Sequence, residues 1–182
     1  MAAVTYIKES KQSISTMKGV IDYCCQEKKV YDNESGRWLV SGVNCNGENA
    51  FTEFMATKSA YKKLDGINFY QYVQSFSPNE KGVAPQKAHE IALKFAEKAW
   101  KGHEVMVTTH CDADHIHSQF VINSVSFENG YKLRQNPNTL IELRKLSDEI
   151  CSEYGLSTLN PYSKGGAKLG TREYRSANKG QS

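Results

Sequence analysis

Residues 110–123 read HCDADHIHSQFVIN, and three of the chain's five histidines, at 110, 115 and 117, fall within eight positions. Asp112 and Asp114 stand among them, and Gln119 follows. Imidazole nitrogen suits Mn, Zn, Fe or Ni, and oxygen ligands shift the preference toward Mn or Mg. A lone histidine is most often a satisfied structural residue. Three histidines with two carboxylates at this density point instead to a divalent-metal or catalytic site. The aspartates are placed to be ligands, or to accept an imidazole N–H and so fix ring orientation and tautomer.

The elements that must hold these side chains follow from the hydrophobic pattern. Residues 104–110 (EVMVTTH) and 115–126 (HIHSQFVINSVS) read as strands around the polar stretch 111–114, and so predict an antiparallel hairpin. With 111–114 as a four-residue loop, His110 pairs with His115, Thr108 with His117, and Met106 with Gln119. Paired residues share a sheet face, so His110, His115, His117 and Gln119 converge on one side. A one-residue slip would turn one strand over and destroy that convergence.

Upstream, residues 3–8 alternate as a first strand, and Ser10 or Ser13 caps a helix with Ile14, Met17, Ile21 and Cys24 in one stripe. Tyr23 lies about 200° around that helix from Ile21 and is reachable from outside the core. A polar loop at 26–36 carries Lys28 and Lys29. A strand at 37–44 and a helix at 49–64 follow, the helix burying Phe51, Phe54, Met55 and Tyr61 and ending at Asp65-Gly66. In the strand 67–76, Phe69, Gln71, Val73 and Ser75 share one parity. After a loop at 77–82, Pro85 opens a helix with Ala88, Ile91, Ala92, Phe95, Ala96 and Ala99 on its core face. The last helix runs from Leu140 to Tyr154 and is stopped by Gly155. The order β-α-β-α-β-α-β-β-α implies an α+β fold, a central, mainly antiparallel sheet flanked by helices.

The 182 residues are enough for one domain with a full core, placed at 1–160. Residues 161–182 read as a basic, loosely ordered tail, or as the start of a segment that continues in a longer protein. A net charge of +3 does not demand a nucleic-acid partner, so local clusters must carry that inference. Lys28, Lys29, Arg134, Lys164, Lys168, Arg172 and Arg175, with Tyr31, Tyr162 and Tyr174, combine cations for phosphates with rings for unpaired bases. For the tail, a merely solvated segment, Lys179 included, reads equally well. The five cysteines are odd in number and irregularly spaced, the pattern of reduced thiols. There is no apolar signal core, and no run approaches the roughly 20 apolar residues of a membrane helix. The expected compartment is the cytoplasm.

Residues 110–125, H-x-D-x-D-H-I-H-x-Q-F-V-I-N-S-V, resemble motif III of conjugative relaxases, the mobilisation nucleases of the MobA/MobL type in the HUH endonuclease superfamily. Ile21-Asp22-Tyr23 with Gln26-Glu27-Lys28 resembles motif I, the helix bearing the nucleophilic tyrosine. Residues 39–45 (LVSGVNC), 55–58 (MATK) and 72–77 (YVQSFS) resemble the family's intervening pattern, with Ser75 as its motif II serine. Residues 143–148 (LRKLSD) and 153–156 (EYGL) are similar to the helix after motif III.

The resemblance implies a sheet flanked by helices and an enzyme that cuts one DNA strand at an origin of transfer, stays attached through a 5′-phosphotyrosine and later rejoins the ends. It implies Tyr23 as nucleophile, with Tyr31 as the fallback, and Ser75 contacting phosphate or positioning DNA. The family's three metal-binding imidazoles fall on His110, His117 and position 119, which is Gln here. A Gln carbonyl can bind Mn²⁺ or Mg²⁺ but binds soft metals poorly, and His115 is a substitute imidazole. Asp112 and Asp114 would orient the histidines, and one would take the tyrosine proton. Implied partners are single-stranded origin DNA with an adjacent hairpin, accessory relaxosome proteins and a coupling protein. Three rival functions stand beside this one. The first is a non-catalytic DNA-hairpin module with a degenerate metal site. The second is a water-activating metallohydrolase. The third is a rolling-circle replication initiator, against which chain order argues, since those proteins usually place the tyrosine after the histidines.

Overall fold

The structure, a computed structural model, describes residues 2–78, 83–112 and 114–157. The predicted tail, with Lys164, Lys168, Arg172, Arg175, Lys179, Tyr162 and Tyr174, lies outside the described residues. Five strands form one sheet: β1 (Ala2–Ile7), β4 (Val40–Val43), β5 (Phe69–Phe76), β6 (Val105–His110) and β7 (His117–Asn123). Their order is β1-β5-β7-β6-β4, and every neighbouring pair is antiparallel. The expected α+β architecture is therefore present.

Helices cover both faces. Helices α1 (Ile14–Cys24) and α3 (Ala50–Ala60) bury Met17, Ile21, Cys24 and Phe54 against Phe69, Met106 and Val121. Helices α4 (Pro85–Ala99) and α5 (Thr139–Glu153) bury Ile91, Phe95, Leu143 and Ile150 against Tyr72, Val107, Phe120 and Ile122. The alternating parity of β5 and β7 thus feeds two cores, which is why both strands are buried at nearly every position. Ser13 caps α1 by accepting the Thr16 N–H, and Pro85 opens α4. Tyr61 is less buried than the helical pattern implies, at 37% exposure, because α3 ends at Ala60.

The predicted strand at 37–44 divides. Tyr31–Asp32 (β2) and Arg37–Trp38 (β3) form a two-stranded ribbon of their own, while β4 joins the main sheet. Leu39 is the point of exchange. Its N–H goes to the Val30 carbonyl and its own carbonyl takes the Thr109 N–H. The predicted polar loop before it also holds the one-turn helix α2 (Glu27–Val30).

The β6–β7 hairpin forms, in a different register. His110 pairs with His117, Thr108 with Gln119 and Met106 with Val121. The connection is residues 111–116, two longer than expected, and its first residue is docked on the segment after α1 by the Cys111 N–H to the Lys29 carbonyl. A shift of two keeps parity, so His110, His117 and Gln119 still share a face. His115 drops out of the strand and does not pair with His110.

Candidate active site

One row of side chains crosses the sheet on the face toward α1: Ala3 opposite Ser75, Ser75 opposite His117, His117 opposite His110. Ser75 therefore stands beside the histidine pair, half-buried. The two imidazoles meet edge to face, with ring centroids 4.9 Å apart, and His110 Nδ1 lies 3.1 Å from His117 Nε2. His110 Nε2 is 2.9 Å from the Cys24 carbonyl. A carbonyl only accepts, so Nε2 carries the proton and Nδ1 presents its lone pair. Cys24 is the last residue of α1, where helix carbonyls lack partners within the helix. This bond ties the helix end to the histidines, and Tyr23, 53% exposed, is the residue before it.

The segment after α1 completes the site. The Lys29 carbonyl accepts the Cys111 N–H at 2.8 Å, and Cys111 Sγ approaches the carbonyls of Lys29 at 3.4 Å and Tyr31 at 3.3 Å. Lys29 Nζ reaches Asp112 Oδ2 at 3.3 Å and sits 4.8 Å from the centre of the Tyr23 ring. Partial burial works against the Lys29 charge, but Asp112 and Tyr23 beside it outweigh that and hold its pKa above the ordinary lysine value. Lys29, expected to meet DNA phosphates, thus bridges Tyr23 and the histidine loop.

Both imidazoles of the pair are held neutral. Burial, reinforced by His117, pushes His110 down to about 4, and burial also lowers His117. His117 Nδ1 makes a longer contact, 3.4 Å, with the His115 carbonyl. With the His110 proton on Nε2, His117 Nε2 donates to His110 Nδ1 across 3.1 Å. A divalent ion taking the place of that proton would meet two nitrogens at a spacing of about the edge of an octahedron around a small cation. Further donors are close in the chain. His115 Nδ1 is buried without a hydrogen-bond partner. Gln119 follows His117 on the same strand face, but its Oε1 accepts from Gln71 Nε2 at 3.1 Å. Among the described residues no three His, Cys, Asp or Glu side chains are gathered as a ready-made metal site. The pair fits two ligands of a divalent ion, and the four-residue convergence expected from sequence does not form.

The aspartates do not contact the imidazole N–H groups as expected. The His110 N–H faces the Cys24 carbonyl and the His117 N–H faces His110 Nδ1, while Asp112 is on Lys29 and Asp114 is exposed. Lys28 is exposed on α2, near Tyr23 in sequence. Arg134 lies at the opposite end of β7, just after Leu133, whose N–H binds the Ser124 carbonyl. Tyr31 is on the ribbon, its ring 5.4 Å from Trp38. Sequence reasoning passed over the Cys24 carbonyl and Gln71. Gln71 was within reach, since it shares the parity of Ser75 on β5. A backbone carbonyl leaves no mark in a sequence.

Comparison with known proteins adds a family to this geometry. The sequence model of the MobA/VirD2-like relaxase nuclease domain matches residues 23–156. A Staphylococcus aureus protein named Rlx is 39% identical over 141 residues, covering 78% of this chain and 42% of its own length. The group II intron-interrupted relaxase LtrB of Lactococcus lactis subsp. cremoris is 27% identical over 163 residues, covering 68% of this chain and 29% of that protein. The chain thus spans less than half the length of these relatives. A solved structure described as the molecular basis of vancomycin resistance transfer in Staphylococcus aureus superposes with a TM-score of 0.51 at 12% identity, over 91% of this chain and 98% of the other, and so shares the fold. The family match begins at Tyr23 and takes in both histidines of the pair, and on that match this chain belongs to the MobA/VirD2-like relaxase nuclease-domain family.

Proposed function

We propose that this chain is the nicking and rejoining domain of a conjugative relaxase, acting on single-stranded DNA at an origin of transfer. The observation that carries the reading is the bond from His110 Nε2 to the Cys24 carbonyl, which ties the end of α1, one residue after Tyr23, to the histidine pair. The Tyr23 phenol oxygen attacks the scissile phosphorus. A tyrosyl–phosphate bond forms, the bond to the 3′ oxygen breaks, the phenol gives up its proton and the 3′ oxygen takes one. A free phenol is almost fully protonated at pH 7, so it needs help. The Lys29 ammonium beside the ring favours phenolate character as it develops, and Asp112 holds that ammonium in place. Ser75 is beside His117 to hydrogen-bond the phosphate. A divalent ion, Mn²⁺ or Mg²⁺, held by His110 Nδ1 and His117 Nε2 with His115 or Gln119, would supply positive charge to the non-bridging oxygens. Tyrosine is a good enough leaving group for the 3′ hydroxyl to reverse the step. Lys28 meets the DNA backbone, and relaxosome and coupling proteins are the expected partners.

The test is adduct formation. The protein is incubated with single-stranded oligonucleotides tiling the DNA around its own gene, with Mn²⁺ or Mg²⁺, and resolved under denaturing conditions. A covalent protein–DNA species is expected, with the modification mapped by mass spectrometry to Tyr23 and abolished in Tyr23→Phe. Tight binding without adduct under either metal would instead establish a non-catalytic DNA module, a reading the Gln119–Gln71 bond favours. Full strand cleavage by Tyr23→Phe would exclude Tyr23 as nucleophile, and the same result without any adduct would establish a water-activating hydrolase.

A further inference from the structure

The ribbon of β2 and β3 presents a large side chain that neither hydrophobic core uses. Trp38 is one of two tryptophans. Trp100 is buried in the core, whereas Trp38 stands 51% exposed. Its indole packs on the ring of Tyr31, its partner across the ribbon, with centroids 5.4 Å apart and planes tilted by 60°. That contact covers one side of the indole, and half of the residue stays in water. The ribbon beneath it is held at both ends. The Tyr31 carbonyl takes Cys111 Sγ at 3.3 Å, and Leu39, next to Trp38, bonds Val30 through its N–H and Thr109 through its carbonyl. At the turn, Asp32 is buried and accepts the Glu34 N–H at 3.2 Å and the Ser35 hydroxyl at 2.6 Å. Gly36, with φ at 68°, closes the turn by donating to the Asp32 carbonyl. An exposed ring on so fixed a backbone loses little further freedom when another ring stacks on it.

The ribbon also stands beside the reacting groups. Tyr31 follows Lys29 by two residues, and Lys29 Nζ lies 4.8 Å from the centre of the Tyr23 ring. Thr109, to which Leu39 is bonded, precedes His110. Two Cα steps of about 3.8 Å and one cross-strand spacing of about 5.5 Å put the Trp38 backbone no more than about 13 Å from that of Lys29. At about 3.4 Å per nucleotide that distance is roughly four nucleotides. We infer that Trp38 is a base-stacking residue for the strand at the candidate active site. It takes one unpaired nucleobase within roughly four nucleotides of the scissile phosphate and so fixes the register of the strand over Tyr23. The inference rests on the proposed relaxase function for its ligand and on the ribbon for its place. Indole offers a broad π face, every base has one, and stacking removes the exposed half of the ring from water. A paired base has no free face, so the contact favours single strand over duplex. Arg37, exposed beside Trp38 on β3, supplies a cation for an adjoining phosphate.

The experiment reads tryptophan emission, because the buried Trp100 leaves Trp38 as the tryptophan that DNA can reach. The full chain is titrated with the tightest-binding oligonucleotide of the tiling series, with its duplex, and with copies carrying one abasic site at each position in turn. Emission should be quenched by the intact single strand and far less by the duplex, and one abasic position should restore it. Trp38→Phe should abolish the quenching and keep most of the affinity. Trp38→Ala should weaken binding about tenfold, with no further loss on the oligonucleotide that lacks the stacked base. Thermal melting confirms that each variant folds, and the scan with the unaltered chain needs no variant. Unchanged emission at saturating DNA would overturn the inference. So would quenching that persists in Trp38→Phe, that every abasic copy retains, or that is relieved only at positions far from the mapped nick. The Tyr23 adduct is scored on the same samples. Adduct without quenching defeats the role of Trp38 and leaves the Tyr23 chemistry standing. Quenching relieved at one position, with no adduct, keeps the stacked base and sinks the relaxase chemistry alone.

Discussion

Gln119 is the residue at which chemistry and packing compete. Its carboxamide oxygen is a hard donor on the histidine face, yet it is 6% exposed and engaged by Gln71 Nε2. Binding an ion through it means giving up that bond, a neutral hydrogen bond of about 1 kcal/mol net. Gln119→His should therefore raise affinity for Mn²⁺ over Mg²⁺ by about tenfold or more, because an imidazole prefers the softer ion. Electron paramagnetic resonance of bound Mn²⁺, with Mg²⁺ as competitor, reads this directly. An unchanged ratio would mean that position 119 is no ligand and that His115 completes the set. The glutamine was visible in the sequence as a departure from three imidazoles. Its partner was not, because Gln71 and Gln119 are diagonal neighbours on β5 and β7 and only the sheet order makes them so.

At the scale of elements, the pattern put Phe51, Phe54, Met55 and Tyr61 on the buried side of α3 without Lys58, which the structure adds to that side. The structure buries this lysine completely. Lys58 Nζ donates to the Asn68 carbonyl at 2.5 Å, Asn123 Oδ1 at 2.6 Å and Ser124 Oγ at 3.3 Å. Burial, with nearby Lys132, pushes this amine down to about 7, while three acceptors are arranged for the ammonium. Lys58 thus fastens α3 to the start of β5 and the end of β7. Lys58→Met keeps the volume and strands those acceptors, and should cost about 2–4 kcal/mol in urea unfolding. A cost under about 1 kcal/mol would show that the apolar stem, not the ammonium, does the fastening. The hairpin carries the other lesson at this scale. Two strands and a polar turn were plain from alternation, but the loop length was not, since 111–114 and 111–116 preserve the same parity. The tertiary contact that selects the longer loop is the docking of Cys111 on the α2 segment.

At the scale of the molecule, four of the five histidines are buried, and burial lowers the pKa of each: His89, His103, His110 and His117. His89 is the clearest. It sits on α4 between Ser41 Oγ and Thr109 Oγ1, each at 2.8 Å, and burial pushes it down to about 4. Its folded pKa lies below the unfolded value of about 6.5, so the unfolded chain binds more protons in that interval. Stability is therefore full above pH 6.5 and is lost as pH falls toward 4. His89→Gln should shrink the difference in unfolding free energy between pH 7 and pH 4.5 by about 2 kcal/mol, measured by urea titration at both values. An unchanged difference would mean that His89 is already charged in the fold. The described residues contain no helix long and apolar enough to cross a membrane. The sequence by itself determined the order of the five main-sheet strands and the four long helices, the two faces of β5 and β7, and a histidine cluster at a hairpin, because period and residue type are local properties. Only the tertiary structure decided that His115 leaves the pair, that Lys29 spans Tyr23 and Asp112, and that Lys62, Lys63, Lys132 and Arg134 share one cleft. Each of these joins segments distant in the chain, and which segments meet is set by packing two helix layers onto one sheet.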